Sequence, residues 1–231
     1  MNYARVTYML FRTRVRHPAM LFGLLFTPCL FAVIEHFFPG ESKFHAYLPI
    51  ALASWSALLI PHNIICLREQ GVLARLRLNT LTPRTIAVSL FIVDLILCVC
   101  CIAATIALAS IVFSKTPSGA IAPLVGGIAL ATVAFFALGF VASTIYINTK
   151  ITNIVGNLLM IGLMLTSGII ELPEQYCKYS PTWHTTILLE QLWEGTTFHQ
   201  IIIPFAVLSG MAIILGGFAI QFFRWKPTGN L

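Results

Sequence analysis

Charge is scarce in this chain. Of its 231 residues, 10% are Asp, Glu, Lys or Arg, whereas 58% are hydrophobic. Soluble domains carry about 25% charged and about 45–50% apolar residues, so an ordinary water-soluble domain is excluded. A disordered chain is excluded too, because so apolar a composition cannot stay solvated. The mean hydropathy of +0.89 instead predicts a protein that lies almost wholly within a membrane.

Recognisable catalytic motifs are also missing. No glycine-rich phosphate loop ending in Lys-Ser or Lys-Thr occurs, so we expect no ATPase within the chain. The Thr166-Ser167-Gly168 step lacks the glycine pattern of a nucleophile elbow. The six histidines show no metal-ligand spacing, and five of the six cysteines lie in or beside apolar runs, where Cys acts as a small hydrophobe. Only Cys177 is expected outside the membrane. We therefore predict no catalytic, metal-binding or cofactor-binding residue in this chain.

Long apolar runs are what the chain has instead. A helix crosses a bilayer with about 20 apolar residues, and six runs of roughly this length are bounded by charged or turn residues. The sequence therefore predicts an all-α membrane protein whose residues 1–231 form one transmembrane domain, without room for a separate soluble domain. The six predicted spans are residues 18–38, 46–66, 85–113, 120–147, 152–170 and 200–223.

The few cations are distributed unevenly between the loops. With six spans, eleven of the fourteen Lys and Arg residues fall on one side of the membrane and three on the other. Because short cytoplasmic loops are enriched in Lys and Arg, this places both termini and the 67–84 loop in the cytoplasm. The net charge of +6 is then a topology signal, and a nucleic-acid partner is not indicated. The eleven are Arg5, Arg12, Arg14, Arg16, Arg68, Arg75, Arg77, Arg84, Lys150, Arg224 and Lys226.

Asp94 is the one acid that the sequence places deep inside a span. A carboxylate within a membrane is by default a hypothesis for a functional site, since it costs roughly 2.5–3.5 kcal/mol at the centre of a helix. The apolar remainder of the third span can offset this cost, so insertion does not demand a partner for Asp94. A pathway or proton role and a plain position facing the bundle interior both stay open.

Two segments outside the spans carry their own patterns. Residues 1–17 place Arg5, Arg12 and Arg16 on one helical face and Val6, Met9, Leu10 and Thr13 on another, which predicts a basic amphipathic helix in the cytoplasmic interface. Residues 171–199 form the longest extramembrane stretch, in which Ser180-Pro181 can start a helix and Gly195 can end it. We expect there a short helical hairpin on, or dipping into, the outer leaflet.

The loop between the second and third spans resembles a known family. It reads Arg68-Glu-Gln-Gly71-Val-Leu-Ala-Arg75-Leu-Arg77-Leu-Asn-Thr80-Leu-Thr-Pro83. This is similar to the type-2 ABC transporter permeases of the daunorubicin-resistance-like branch, in which Arg-Glu-x-Gly leads through Leu-x-Arg-Leu-Arg to a Thr-Pro turn. Here Leu81 and Thr82 separate Thr80 from Pro83. The Ser167-Gly168-Ile-Ile170, Leu192-Trp193-x-Gly195 and Phe222-Phe223-Arg224-Trp225 stretches agree with the family in order.

The resemblance implies a half-transporter that exports a drug-like, antibiotic, lipid-like or peptide substrate from a prokaryotic plasma membrane. Two permease chains, identical or different, would form the pathway, and separate ABC ATPase subunits would bind ATP-Mg beneath. Residues 67–84 would be the coupling loop, and residues 1–17 the connecting helix in contact with membrane lipid. The coupling residues implied in this way are Arg68, Glu69, Gly71, Arg75, Leu76, Arg77 and Pro83.

Two other classes of protein are weighed against this one. An intramembrane enzyme needs paired polar catalytic residues at matching depth in the membrane. The sequence places only one charged residue, Asp94, deep within a span. An ion-coupled transporter is expected to carry more ionisable groups within its spans or an inverted repeat, and neither is seen. Both alternatives would rely on Asp94.

Overall fold

The computed structural model describes residues 3–15, 18–37, 44–73, 83–114, 116–169, 172–195 and 198–222. Within them every regular element is helical, which confirms the all-α class. In chain order these are α1 (Tyr3–Val15), α2 (Pro18–Phe37), α3 (Phe44–Ser54), a π-helical segment (Trp55–Leu59), α4 (Ile60–Glu69), α5 (Pro83–Ile111), α6 (Ile121–Ile145), α7 (Thr149–Leu165), α8 (Glu174–Cys177), α9 (Pro181–Glu194), a 3-10 turn (Phe198–Gln200) and α10 (Ile202–Phe222).

Four helical stretches are long and apolar enough to cross a membrane. They are Tyr47–Glu69, Val88–Ile111, Ile121–Ile145 and Ile202–Phe222. They coincide with the second, third, fourth and sixth predicted spans. The first and fifth predicted spans correspond to α2 and α7, whose described apolar stretches, Leu25–Phe37 and Thr149–Leu165, are shorter. The chain is a multi-pass membrane protein, and six remains the predicted number of spans.

The helix that runs from α3 through the π segment to α4 lies at the centre of the bundle. It packs against α2, α5, α6 and α7. Ile50, Ala53, Ala57 and Ile64 along it are all completely buried. Small residues along it and on its neighbours let the helices approach closely, and this close packing places the second span at the core.

The two ends of the bundle differ in how the helices are joined. At one end α4 and α6 stop and α7 begins, and we call this the Glu69 end. There the side chain of Asn148 caps α7 by accepting a hydrogen bond from the amide of Ile151 at 2.9 Å. At the opposite end α3 and α6 begin, α7 stops, and α9 lies across them; we call this the α9 end.

Helix α9 follows the predicted boundaries. It begins at Pro181 after Ser180 and ends at Gly195, whose φ of +77° is the left-handed conformation that glycine adopts most easily. Its apolar side packs on the bundle, because Leu188 and Leu189 are buried and α9 contacts α3, α6 and α10. Those leucines therefore face protein and not a lipid leaflet. The carbonyl of Trp193 accepts the amide of Gly119 at 2.8 Å, which fixes the end of α9 to the start of α6.

Helix α1 has one exposed side and one buried side. Arg5 and Arg12 are exposed while Val6 and Leu10 are buried, and α1 packs along α5 and α2. Met9 and Thr13 of the predicted apolar face are exposed. The inner stripe continues instead at the four-residue spacing of Val6 and Leu10, and its next member is a cation, Arg14, which is only 6% exposed.

Candidate coupling site at the Glu69 end

Arg68 ties the end of the central helix to the end of α6. Its side chain is 1% exposed, and Nη2 donates a hydrogen bond to the carbonyl oxygen of Ser143 at 3.2 Å. Ser143 lies in the last turn of α6, where unpaired carbonyl groups give the helix end a partial negative charge. A cation is stabilised in this position. The last turn of α4 is thus held to the last turn of α6.

Glu69, the next residue, ties the same helix to α7. Its carboxylate accepts the backbone amide of Thr149 at 3.0 Å and the Thr149 hydroxyl group at 3.1 Å. Thr149 is the first residue of α7, where free amide groups and the helix dipole favour a negative charge. Arg68 and Glu69 therefore hold the end of α4 to the end of α6 and to the start of α7. We call these two contacts the Arg68–Glu69 joint.

The chain leaves this joint at Gly71. Its φ of +67° is left-handed, and its amide donates to the carbonyl of Arg68 at 3.1 Å, so the helix ends here in a tight turn. Pro83 is the first residue of α5, where its missing amide costs no helical hydrogen bond. Arg75, Leu76 and Arg77 lie outside the described residues, as does Arg16 of the N-terminal segment.

Asp94 is joined to the N-terminal helix. Its carboxylate forms an ion pair with Nη1 of Arg14, with Asp94 fully buried and Arg14 nearly so. Burial lowers the pKa of the Arg14 guanidinium to about 9, so this group is still protonated at neutral pH. The apolar pattern around Asp94 does not by itself indicate Arg14 as its partner. The spacing of Arg14 behind Val6 and Leu10 was the signal that could have found it.

Further charged groups are buried besides this pair. Glu35 in α2 is 5% exposed and Arg68 is 1% exposed. Both lie within one turn of the end of their helix, whereas Asp94 lies well inside α5. His45 of α3 lies 3.3 Å from the carboxylate of Glu190 in α9, at the opposite end of the bundle from the joint.

A polar strip that the sequence reading missed runs along α4 and α7. Nδ1 of His62 lies 3.2 Å from Oδ1 of Asn153, and the side-chain amide of Asn157 donates to the carbonyl of Asn153 at 2.5 Å. Asn153 and Asn157 are exposed beside the exposed apolar side chains of Ile154 and Leu158. Asparagine pairs within an apolar run are the signal that could have identified this strip.

No residues in the described ranges form a group of three or more His, Cys, Asp or Glu side chains suited to a metal ion. All six cysteines lie in those ranges and are free thiols, and Cys177, expected outside the membrane, is buried. The hydroxyl groups of Thr166, Ser180 and Thr182 meet at the start of α9, with oxygen–oxygen distances of 2.6 to 2.9 Å. These hydroxyl groups satisfy one another and join α7 to α9.

Comparison with known families assigns this architecture. Residues 3–185, from α1 into the first turns of α9, match the family model described as ABC-2 type transporter. No individual curated protein gives a significant match. The matched stretch contains the Arg68–Glu69 joint, the Arg14–Asp94 pair and the polar strip. Proteins of this family are membrane components of transporters and typically work with an ATPase subunit, without being catalytic themselves. The chain therefore belongs to the ABC-2 type transporter family, as a transporter permease component.

Proposed function

We propose that this chain is the permease subunit of an ATP-driven exporter of a prokaryotic plasma membrane. Two permease chains would form the substrate pathway, and two separate ABC ATPase subunits, which carry the ATP-Mg, would bind at the Glu69 end. Both termini would be cytoplasmic. The observation that carries the proposal is the Arg68–Glu69 joint, because it connects the start of the 67–84 loop to three helices at once.

The joint provides a physical route for coupling. A movement of the 67–84 loop reaches α4 first, since α4 ends at Glu69. Arg68 and Glu69 then pass the movement to α6 and α7 through bonds in which one partner is charged, which are shorter and stronger than neutral hydrogen bonds. Within this proposal, Arg75, Leu76 and Arg77 form the part of the loop that seats on the ATPase, and Gly71 and Pro83 set its limits.

The polar strip supports a pathway between two permease chains. Lipid tails offer no hydrogen-bond partners, so exposed amide groups on a membrane helix are costly when they face lipid. Asn153 and Asn157 are better accommodated at a wet interface, and His62 joins them from α4. The neighbouring exposed apolar residues suit an amphipathic substrate, such as a drug-like, antibiotic, lipid-like or peptide molecule.

The exposed side of α1 supports contact with the membrane surface. Arg5 and Arg12 lie on that side together with Tyr8, which is 67% exposed. Cations beside an amphipathic ring suit the headgroup region of a bilayer. Residues 1–17 would therefore act as a connecting helix in the cytoplasmic interface, and Arg16 would extend its basic side.

Asp94 gives no support to an ion-coupled transporter or an intramembrane enzyme. Either function would need its carboxylate to exchange protons or to meet a second catalytic group. The carboxylate is instead buried in an ion pair with Arg14.

Copurification tests the proposed function. The tagged chain would be coexpressed with a Walker-motif ATPase from a neighbouring reading frame, extracted in mild detergent and reconstituted into proteoliposomes. We expect the ATPase to copurify and to hydrolyse ATP faster in the presence of an amphipathic probe such as ethidium. A folded, monodisperse chain that retains no ATPase would contradict the proposal.

A further inference from the structure

The central helix changes its hydrogen-bond register in the middle of the bundle. Residues Trp55–Leu59 are π-helical, and the amide of Ile60 donates to the carbonyl of Trp55, five residues earlier. π-Helical turns are rare and are found mostly as local bulges in α-helices, often at functional sites. Here the π turn separates α3, which starts at the α9 end, from α4, which carries the Arg68–Glu69 joint.

Pro61 explains why the helix is irregular at this point. Proline has no amide hydrogen, so position 61 cannot donate to Ala57 in an α-helical register or to Ser56 in a π-helical one. The Ser54 and Ser56 hydroxyl groups also donate to backbone carbonyls three residues earlier, at 2.7 and 3.0 Å. Such bonds compete with the helix ladder and often bend helices. The α-helical register is thus disfavoured locally, whereas α3 and α4 are regular on either side.

Two glycines on neighbouring helices make room for the two carbonyl groups that Pro61 cannot satisfy. A methyl group built on Gly139 of α6 would lie 2.9 Å from the carbonyl oxygen of Ser56. One built on Gly156 of α7 would lie 2.6 Å from that of Ala57. Any larger residue would press on the π segment from one side or the other. The segment is therefore packed closely against α6 through Gly139 and against α7 through Gly156.

We propose that residues 55–61 are a hinge at which α4 turns about its axis relative to α3. Loss of the π turn shifts the register by one residue, which corresponds to a rotation of about 100°. That rotation would carry Arg68 and Glu69 away from Ser143 and Thr149. The Arg68–Glu69 joint can therefore form only while the π turn is present. The use of this rotation in ATP-driven transport rests on the proposed function; the hinge itself does not.

Cross-linking between α4 and α7 tests the hinge in the full chain. Cysteines replacing His62 and Asn153, whose Nδ1 and Oδ1 atoms are 3.2 Å apart, should be joined in lipid nanodiscs by a short bis-methanethiosulfonate cross-linker. Peptide mass spectrometry distinguishes this cross-link from those of the native cysteines. Pro61→Ala supplies the missing amide and favours the α-helical register. We expect it to lower the rate of this cross-link at least tenfold while the chain stays folded and monodisperse.

Matched variants separate the hinge from general damage. Pro49→Ala also adds an amide to the same span, but within α3, and should leave the cross-link rate unchanged. Gly139→Ala should lower it at least threefold, because its methyl group presses on Ser56, whereas Gly126→Ala on the same helix meets nothing within 4 Å and should have no effect. A Pro61→Ala chain that cross-links at the parent rate overturns the proposal, and so do equal effects of Gly139→Ala and Gly126→Ala. No ATPase or substrate enters this experiment, so failure of copurification would not affect its outcome.

Discussion

Arg14 of the N-terminal helix and Asp94 of α5 form a buried ion pair. The pair joins a helix predicted to lie in the membrane interface to a predicted membrane span. It also accounts for an acid within an apolar run, since the carboxylate has a cation beside it. The first prediction concerns the stability of this pair.

Removing one member of the pair should destabilise the chain much more than removing both. Asp94→Leu or Arg14→Leu leaves an uncompensated buried charge, at a cost of about 3–5 kcal/mol, whereas the double leucine variant replaces the pair by apolar side chains at little net cost. Thermal melting in detergent should show a large fall in Tm for each single variant and recovery in the double variant. Arg12→Leu, on the exposed side of α1, is the matched control and should change Tm little. Equal losses in the single and double variants would show that the pair is not formed.

Replacing Arg68 should weaken the attachment of α4 to α6. Arg68→Ala removes a charge-assisted hydrogen bond to the carbonyl of Ser143, worth about 1.5–3 kcal/mol. We expect a lower free energy of unfolding in a denaturant titration. Arg5→Ala, an exposed arginine on α1, should stay close to the parent value. A buried Arg68 that could be removed without loss would argue against the joint.

Substitutions of Gly71 should lower the free energy of unfolding through the backbone conformation of the turn and not through side-chain size. Its φ of +67° disfavours a Cβ atom, while a methyl group built there meets nothing within 4 Å. Gly71→Ala should therefore cost about 1–2 kcal/mol, and Gly71→Asn less, because asparagine tolerates the left-handed region. Unfolding free energies of the two variants would check this order. If alanine were tolerated better than asparagine, the left-handed turn would be the wrong description.

The 75–77 segment should govern binding of the ATPase. Within the proposed function, Arg75→Glu with Arg77→Glu reverses the charge of the loop surface that meets the partner. We expect the amount of copurified ATPase to fall at least tenfold and the Tm of the permease to stay unchanged. Reversal of Arg5 serves as the control. Unchanged copurification and unchanged substrate-stimulated hydrolysis would show that the loop is not the coupling element.

The fold class and much of the helix layout could be predicted from the sequence because apolar runs in a membrane protein are long and their ends are marked. Ser180-Pro181 and Gly195 mark α9 at both ends through local backbone preferences that need no tertiary information. The family resemblance, read from the 68–83 loop, is confirmed by the match over residues 3–185.

Pairings between distant residues could not be predicted in the same way. Arg14 and Asp94 are separated by 80 positions in sequence, and Glu69 and Thr149 are also 80 positions apart. Hydropathy shows that placing Asp94 inside a membrane span is costly, but it does not show which cation pairs with the carboxylate. The π turn at Trp55–Leu59 likewise depends on Gly139 and Gly156 of other helices, although Pro61 marks its place in the sequence.

Substrate-stimulated ATP hydrolysis by Glu69→Ala in proteoliposomes tests the central claim most directly. The variant loses the bonds to Thr149 at the start of α7 but leaves residues 75–77 intact. Glu194→Ala, an exposed glutamate at the α9 end, is the matched control. The account predicts that Glu69→Ala retains the ATPase and its basal rate while ethidium stimulation falls at least fivefold. Parent-like stimulation in Glu69→Ala would contradict a coupling role for the joint.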